Sequence, residues 1–425
     1  MRALAAEMTK LTSGATSDKV GEAARGEAAS STARQLLSAA ERMENGTLDL
    51  LRASVEVESP SDDRAAVNRC VALVEEYCRG TGGRTRRHRG VGFGDLLEVR
   101  FGPRSKRRKP ILLLGHLDTV WPAGTLATMP YRIENGRVWG PGVLDMKAGV
   151  AMGLTAIRML QENDLLTRPA VMLLNSDEEV GSPFSRPVTE RVASECEAVY
   201  VLEPAQTVPA VGARGKQSRE PEGAYKTARK GVGEFMVRVT GVAAHSGVDF
   251  SAGHSAVLEL ARQLERIAAF TDLSRGITVN PGVIGGGTRS NVIAAEAWAH
   301  VDVRIAKSVD ARRTERLFRS LRTVDKGCRI EVEGGINRPP MERTAGTVAL
   351  FKRAATIAGA MGFQLREAAT GGGSDGNFTS ALGVSTLDGM GAVGDGAHAA
   401  HESLRLDHLA PRTAMIAAML TDSAD

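Results

Sequence analysis

Apolar runs alternate with helix-patterned stretches over the first half of the chain. Almost continuous apolar segments occur in four places: LLEVRF (96–101), ILLLGHLDTV (111–120), AVMLLN (170–175) and AVYVLEP (198–204). Apolar residues at helical spacing cover 65–78 and 147–162. Continuous apolar strands alternating with helices are typical of an α/β domain in which a largely parallel sheet has helices on both faces. We predict that architecture for this region.

The hydrophobic pattern changes after Lys230. Strands with apolar–polar alternation replace the continuous runs, and the predicted order becomes β-α-β-β-α-β, that of a ferredoxin-like α+β unit. A helix and short apolar strands resume after Met341, so the C-terminus is expected to complete the first domain. The prediction is a poorly ordered extension at 1–33 that is rich in Ala, Ser and Gly, a first domain formed by 34–229 and 338–425, and an inserted domain at 230–337.

Length and composition narrow the class of protein. A chain of 425 residues with 42% hydrophobic residues is expected to form two folded domains. Aromatic residues make up 4% and the net charge is +4, which argues against a nucleic-acid partner. The basic runs RTRRHR (84–89) and RSKRRK (104–109) lack interleaved aromatics, so we interpret them as solvated turns.

The expected compartment follows from the cysteines and the lack of long apolar runs. The four cysteines show no C-x-x-C spacing, and no apolar run has the length of a membrane span. The N-terminus has no continuous apolar segment of the signal-peptide type. We therefore expect a cytoplasmic protein without a membrane partner. GARGKQS (212–218) lacks the first glycine of a phosphate loop, and we interpret 212–223 as a loop insertion.

A histidine and a carboxylate end the second apolar run. His116 and Asp118 in GHLDTV are two residues apart and therefore share one face of a strand. A carboxylate beside a histidine often orients a metal-bound imidazole, although a turn Asp bonded to a structural His is the alternative. Asp145 follows in a glycine-rich turn, GPGVLDMKAG (140–149), at the start of a helix.

Further acids follow the other two apolar runs. NSDEEVG (175–181) comes after one strand and LEP (202–204) ends another. Because the carboxyl ends of parallel strands meet at one edge of a sheet, these acids are expected to converge. They would repel each other strongly without cations, and two divalent ions would relieve that repulsion. The converging acids are Asp118, Asp145, Glu178, Glu179 and Glu203.

These motifs, in this order, resemble a known enzyme family. The chain is similar to the dinuclear zinc metallopeptidases that include glutamate carboxypeptidase, carnosine dipeptidase, aminoacylase and acetylornithine deacetylase. The resemblance extends from about residue 48 to the end and is closest to the glutamate carboxypeptidase branch. The matching segments are HLD (116–118), GVLDMKAG (142–149), DEEVG (177–181), LEP (202–204) and GAHAAHE (396–402).

The resemblance implies two zinc ions per chain and a role for each motif residue. Asp145 would bridge the ions, with His116 and Glu203 completing one site and Glu179 and His398 the other. Glu178 would be the general base and Asp118 would orient His116. Since the ligand histidine in the family precedes a Glu by four residues, His398 fits that position better than its neighbour His401.

The resemblance also implies substrate contacts from the inserted domain. His245 would reach the partner subunit's active site in a homodimer and stabilise the oxyanion, which makes it a catalytic candidate; a structural edge-strand histidine is the alternative. The other expected substrate-binding residues are Asn291, Arg304, Arg338, Gly373 and Ser374, of which the arginines and the glycine loop would hold a free carboxylate.

The function implied is hydrolysis, by a metal-bound hydroxide, of an amide bond next to a free carboxylate, in a small peptide or N-acyl amino acid. One residue departs from the closest branch: glutamate carboxypeptidase has Asp where Glu203 stands, and Glu is commoner among deacylases. An N-acyl-amino-acid amidohydrolase or deacetylase is therefore an open alternative. A catalytically inactive binding protein on this fold is a third, disfavoured because the ligand positions and Glu178 are all filled.

Overall fold

The computed structural model describes residues 30–208 and 222–421, which form two compact units. The first contains the described parts of Met1–Lys226 and Ser385–Asp425, together with Ala345–Ala368. The second contains Thr227–Thr344 and Ala369–Val384, so it includes a segment that the sequence analysis assigned to the first domain. The predicted extension at 1–33 and loop insertion at 212–223 lie mostly outside the described residues. Residues 30–33 belong to a helix instead.

Helices and strands are numbered in chain order. The helices are α1 (30–56), α2 (Arg64–Gly80), α3 (Ala148–Glu162), α4 (Arg186–Ser194), α5 (Ala256–Ala268), α6 (Ala311–Arg319), α7 (Ala345–Ala360), α8 (Gly376–Ala381) and α9 (Leu409–Leu420). The strands are β1 (Arg84–His88), β2 (Leu96–Phe101), β3 (Ile111–His116), β4 (Arg132–Glu134), β5 (Arg137–Trp139), β6 (Ala170–Asn175), β7 (Ala198–Val201), β8 (Gln206–Val208), β9 (Glu222–Arg229), β10 (Gly231–Thr240), β11 (Thr278–Gly286), β12 (Glu296–Ile305), β13 (Arg329–Arg338), β14 (Glu367–Thr370), β15 (Ser385–Leu387), β16 (Gly394–Asp395) and β17 (Ser403–Arg405).

A six-stranded sheet in the order β1-β2-β6-β3-β7-β15 organises the first unit. The four strands from β6 to β15 run parallel, and β2 and β1 add an antiparallel edge. Strands β3, β6 and β7 are buried along their whole length, which is why their sequences are apolar without alternation. The predicted α/β architecture is confirmed.

A smaller sheet in the same unit, β16-β17-β5-β4, joins two distant parts of the chain. Strand β5 pairs antiparallel with β17, and Trp139 lies opposite Ser403. In an antiparallel pair the residues that follow one strand lie beside those that precede the other. The pairing therefore brings the turn after β5 next to the loop that precedes β17.

The second unit contains an antiparallel sheet in the order β11-β12-β10-β13. Its chain order, β10-α5-β11-β12-α6-β13, is the predicted ferredoxin-like order, which is confirmed. Burial alternates along β12, and the buried side chains form a core with those of α5 and α6. Phe235 from β10 stacks on Phe318 from α6 with ring centroids 3.8 Å apart.

None of the helices in the described part of the chain combines the length and the hydropathy that a membrane span requires.

Candidate metal centre

Three neighbouring strands have a histidine or glutamates at their carboxyl ends, along one edge of the six-stranded sheet. His116 is the last residue of β3 and pairs with Asn175, the last residue of β6. Glu178 and Glu179 follow β6 in a short helical turn, and Glu203 follows β7. Because these strands are adjacent and parallel, the predicted convergence of acids and histidine at their carboxyl ends occurs in the structure.

His116 lies deepest in this cluster. Its Nε2 atom is 3.3 Å from Asp145 Oδ1 and 3.6 Å from Glu203 Oε1. Its Nδ1 atom lies 3.0 Å from the backbone carbonyl oxygen of Asp118, closer than the 3.4 Å to that residue's carboxylate. A carbonyl acceptor at Nδ1 places the proton of a neutral imidazole there and directs the lone pair of Nε2 toward the two acids.

His398 approaches the same aspartate from the other side. Its Nε2 atom is 3.3 Å from Asp145 Oδ2 and 3.2 Å from Glu179 Oε2. His398 and the neighbouring His401 are both exposed, so it is the contacts of His398 with Asp145 and Glu179, and not its burial, that favour it over His401. The two oxygens of Asp145 therefore face two different imidazole rings.

These distances match the spacing of atoms that share a metal ion. Two donors at about 2.0–2.1 Å from a tetrahedral zinc ion are about 3.4 Å from each other. The ligand atoms of His116, Asp145 and Glu179 lie within 4.8 Å of one another, and so do those of His116, Glu178 and Glu203. Among the described residues, His116 Nε2, Asp145 Oδ1 and Glu179 Oε1 are buried atoms without a hydrogen-bond partner. Buried polar atoms are normally satisfied, so this donor set fits a divalent metal.

The same proximity shifts the pKa values of the cluster. Burial alone would lower the pKa of His116, but its contacts with Asp118, Asp145 and Glu203 raise it well above the usual range. Contacts with Asp145 and Glu179 raise the pKa of His398 to about 10. Burial opposes ionisation of Asp145, yet the two imidazoles lower its pKa. Burial raises the pKa of Glu179. Without cations, the two histidines and Glu179 therefore hold protons tightly, and these protons offset the negative charge of the acids.

Asp118 holds the two glutamates in position. Its carboxylate accepts hydrogen bonds from the backbone N–H groups of Glu178 and Glu179, each at 3.2 Å, and from the Ser61 hydroxyl at 2.7 Å. Asp118 is fully buried. The sequence predicted that this carboxylate orients His116, whereas in the structure its shortest hydrogen bond is to Ser61, and its backbone carbonyl is the nearer acceptor for His116.

Two buried charged residues that the sequence analysis quoted in motifs but left without a role fix the Asp145 turn. Glu402 accepts hydrogen bonds from the backbone of that turn, including the N–H of Asp145 at 3.0 Å. Lys147 donates from Nζ to the carbonyl oxygens of Ser54 at 2.8 Å and Val57 at 3.0 Å, at the end of α1. The signal available in the sequence was their place in the motifs, because Lys147 stands two residues after Asp145 and Glu402 stands four residues after His398.

In the second unit, His245 and Asn291 belong to one local structure. Ser246 donates its backbone N–H to the carbonyl oxygen of Asn291 at 3.0 Å. The His245 Nδ1 atom accepts hydrogen bonds from the backbone N–H groups of Gly247 at 3.1 Å and Val248 at 3.2 Å. A neutral His245 ring that accepts at Nδ1 carries its proton on Nε2, which is then a hydrogen-bond donor.

The expected carboxylate-binding residues also lie together in the second unit, with different exposure. Arg338 is buried and pairs with Asp375 at 2.9 Å, and Ser374 is fully buried. Gly373 has no room for a side chain, because a Cβ there would lie 2.8 Å from Val232. Arg304 is partly exposed and pairs with Asp302. Of the two arginines, Arg304 presents more of its guanidinium to solvent.

Comparisons with known proteins show the family of the chain. Residues 112–422 match the sequence model of Peptidase family M20/M25/M40. Carboxypeptidase G2 of Pseudomonas sp. (strain RS-16) is 26% identical over 377 residues, which are 85% of this chain and 85% of that protein. Acetylornithine deacetylase of Myxococcus xanthus is 29% identical over 245 residues, which are 55% of this chain and 59% of that protein.

Solved structures show the same fold at lower identity. Aminopeptidase PepT from Bacillus cereus ATCC 10987 has a TM-score of 0.71 at 20% identity and covers 90% of this chain and 99% of its own. Human carnosine dipeptidase 1 has a TM-score of 0.65 at 15% identity and covers 91% of this chain and 98% of its own. Because the family model covers most of the chain and spans every residue of the centre, the chain belongs to Peptidase family M20/M25/M40 and is a hydrolase acting on peptide bonds.

Proposed function

We propose that the chain is a zinc-dependent carboxypeptidase that binds two ions. One ion would be held by His116, Asp145 and Glu203, and the other by His398, Asp145 and Glu179. The observation that carries the proposal is that each oxygen of Asp145 lies 3.3 Å from a different imidazole nitrogen. Zinc takes imidazole nitrogen and carboxylate oxygen as ligands, and this set has both and no thiolate.

The charges of this ligand set are suited to amide hydrolysis. Three ligand carboxylates would neutralise most of the charge of two zinc ions and leave a small positive charge near the substrate carbonyl. When bound, the ions act as Lewis acids on that carbonyl and make a water molecule more acidic. The protein's own groups would then move the protons and hold the substrate.

Glu178 is the residue suited to move the proton. It would accept a proton from the attacking water and return it to the amine that leaves, which keeps the proton count balanced. Its carboxylate lies within 4.8 Å of ligand atoms of His116 and Glu203, close enough to reach a water between them. The bond from its backbone N–H to Asp118 holds it beside the ligands.

His245 is proposed as the donor to the developing oxyanion. Its Nε2–H is directed by the two backbone bonds to Nδ1, so the ring needs no tautomer change to donate. The chain would form a homodimer through the second unit, and each His245 would serve the centre of the other subunit. The similarity to relatives at the family level motivates this arrangement.

The proposed substrate is a small peptide or N-acyl amino acid whose scissile amide is next to a free carboxylate. The similarity to carboxypeptidase G2 over 85% of both chains supports a carboxypeptidase of the glutamate type. Arg304 is partly exposed, and the N–H groups of its guanidinium that do not bond to Asp302 would be the donors to that carboxylate. The other candidate arginine, Arg338, would support the loop containing Asp375.

An N-acyl-amino-acid amidohydrolase is the second candidate. Glu203 favours this candidate, because glutamate carboxypeptidase has Asp at the corresponding position. The similarity to acetylornithine deacetylase favours it as well. The two activities break the same kind of bond and differ in the acyl group. A catalytically inactive binding protein is disfavoured because Glu178 and the proposed metal donors, His398 among them, are all present in the cluster.

The test is a substrate screen with metal-defined protein. The apoprotein is loaded with zinc and its metal content is measured, and two ions per chain are expected. Two substrate classes are then compared by amine release: N-acetyl amino acids, and dipeptides that have a C-terminal glutamate. Glu178→Ala is the inactive control. Turnover restricted to the N-acetyl compounds would replace the carboxypeptidase assignment by the amidohydrolase. Zinc binding without turnover of either class would support the binding protein, and a single ion at full activity would contradict the two-ion centre.

A further inference from the structure

The Asp145 turn depends on one buried carboxylate from a distant part of the chain. Glu402 Oε1 accepts hydrogen bonds from the N–H groups of Leu144 at 2.9 Å and Asp145 at 3.0 Å. Its Oε2 accepts from Gly142 N–H at 3.0 Å and from Trp121 Nε1 at 2.7 Å. Glu402 is fully buried, so its carboxylate lies away from water.

The same carboxylate is tied to the other side of the centre through the chain. Glu402 stands four residues after His398, and its N–H donates to Ala399 in a tight turn. His398 has a φ of 63°, in the left-handed region that a residue with a side chain occupies at a cost of about 1–2 kcal/mol. Such a conformation persists only where the flanking structure fixes it. Glu402 is the first buried residue on the C-terminal side of His398.

We propose that Glu402 is a positioning residue that holds the Asp145 turn and the His398 loop in one arrangement and so sets the affinity of the centre for metal. It contacts neither metal nor substrate in this role. The proposal rests on the metal-binding part of the proposed function and on no particular substrate. It extends that function by naming the group that couples the two ligands.

The pattern of donors makes Glu402→Gln an incisive substitution. Each carboxylate oxygen accepts two N–H bonds, so all four partners are donors. A glutamine keeps the shape but replaces one oxygen by an NH₂ group, which turns two hydrogen bonds into donor–donor contacts. A buried donor without an acceptor costs about 1–3 kcal/mol. The Asp145 turn or Trp121 must then move.

The second unit offers a matched control. Glu259 is also fully buried, and it too accepts two bonds on each oxygen: Oε1 from Gln263 and the N–H of Val324, Oε2 from Arg262 and the N–H of Asp325. Glu259→Gln therefore introduces the same chemical defect far along the chain from the metal ligands. It reports the loss of stability that any such defect causes.

The first experiment measures zinc affinity by competition with a chromophoric chelator for the wild type and both variants. Glu402→Gln is expected to weaken zinc binding by about 10–100-fold, the usual effect of losing a group that orients metal ligands. Glu259→Gln should bind zinc within about twofold of the wild type. Equal zinc affinities for Glu402→Gln and the wild type would overturn the proposal, and so would equal losses in both variants.

A second experiment needs no metal and separates this proposal from the proposed function. Amide hydrogen exchange is measured on the apoproteins in the peptide that covers 140–147. Glu402→Gln should raise its exchange rate at least about tenfold, while Glu259→Gln should leave it unchanged. Unchanged exchange in Glu402→Gln overturns the positioning role even where zinc binds. A wild type that binds no zinc contradicts the proposed function and the affinity part of this proposal, while the exchange result still decides whether Glu402 fixes the turn.

A milder variant covers the case in which Glu402→Gln does not fold. Trp121→Phe removes one donor of the four and leaves the three backbone bonds in place. It should raise exchange in 140–147 by about two- to fivefold and weaken zinc binding less than tenfold. No change in either quantity would overturn the proposal.

Discussion

Gly149 is the point where helix α3 passes closest to the chain that leaves β7. A Cβ atom at position 149 would lie 1.9 Å from the backbone oxygen of Leu202 and 3.0 Å from its carbonyl carbon. Carbon and carbonyl oxygen settle at about 3.3–3.6 Å, so Gly149→Ala must separate the two segments by about 1.4 Å. Asp145 precedes α3 and Glu203 follows Leu202. The substitution therefore changes the spacing of two proposed ligands without altering either.

Gly153 provides the matched control, one helical turn further along α3. A Cβ there would lie 2.9 Å from Leu202 Cδ1 and 3.0 Å from Met172 Cε, which are the ends of flexible side chains. Both glycines are buried in the same helix, and alanine at either one gains about 1 kcal/mol of helix propensity. The two substitutions differ in whether the obstacle is backbone or a movable side chain.

We expect Gly149→Ala to lower the free energy of unfolding by about 1–3 kcal/mol, because the cost of overpacking exceeds the gain in propensity. Gly153→Ala should stay within about 1 kcal/mol of the wild type in either direction. A ligand displacement of about 1 Å also predicts roughly a 100-fold loss of turnover in Gly149→Ala. Urea unfolding of the apoproteins measures the first quantity, and amide hydrolysis by the zinc-loaded proteins measures the second.

The two variants together test whether the close approach of Gly149 to Leu202 fixes the centre. If Gly149→Ala unfolds at the same urea concentration as Gly153→Ala and turns over substrate at the wild-type rate, the close approach to Leu202 does not fix the centre. If both variants lose stability and activity equally, the effect belongs to α3 as a whole.

The remaining predictions concern the proton carrier, the subunit arrangement and acid stability. Glu178→Ala should keep its zinc and lose about 10²–10⁴ in kcat, whereas Glu179→Ala should lose zinc; equal metal content in the two variants contradicts this division. Mixing inactive His245→Ala and Glu178→Ala dimers under subunit exchange should restore about a quarter of wild-type activity, and no recovery after verified exchange excludes action in trans. Burial alone would raise the pKa of Glu98, but its bonds with His88 and Arg100 lower it below 4.5. Ionised Glu98 therefore stabilises the fold fully above about pH 4.5, and this stabilisation is lost as the pH falls through the folded-state pKa. The free energy of unfolding, measured against pH in the acid range, should fall less steeply in Glu98→Gln than in the wild type.

The sequence predicted the parts of the fold that local pattern controls. The run at 170–175 became β6 with the same limits, since a strand buried on both faces has to be apolar along its length. The convergence of His116, Glu179 and Glu203 also followed from the sequence, because parallel strands present their carboxyl ends at one edge. The choice of His398 over His401 rested on a motif, and the distances to Asp145 and Glu179 support it.

Contacts between distant residues were not available from the sequence. Glu402 bonds to Gly142 and Asp145 across more than 250 positions, and only the pairing of β5 with β17 brings them together. The burial of Arg338 against Asp375 likewise has no local signal, because an arginine at the end of a strand is expected to be exposed.

The sequence by itself therefore determined the kinds of element, their order and the chemistry at the strand ends, because these depend on periodicity and on residue type. The tertiary structure alone decided which buried groups hold that chemistry in place, such as Glu402 on the Asp145 turn and the bare backbone contact at Gly149. The physical reason is that periodicity reports which side of an element is buried. What a buried polar group meets there depends on packing between segments far apart in the chain.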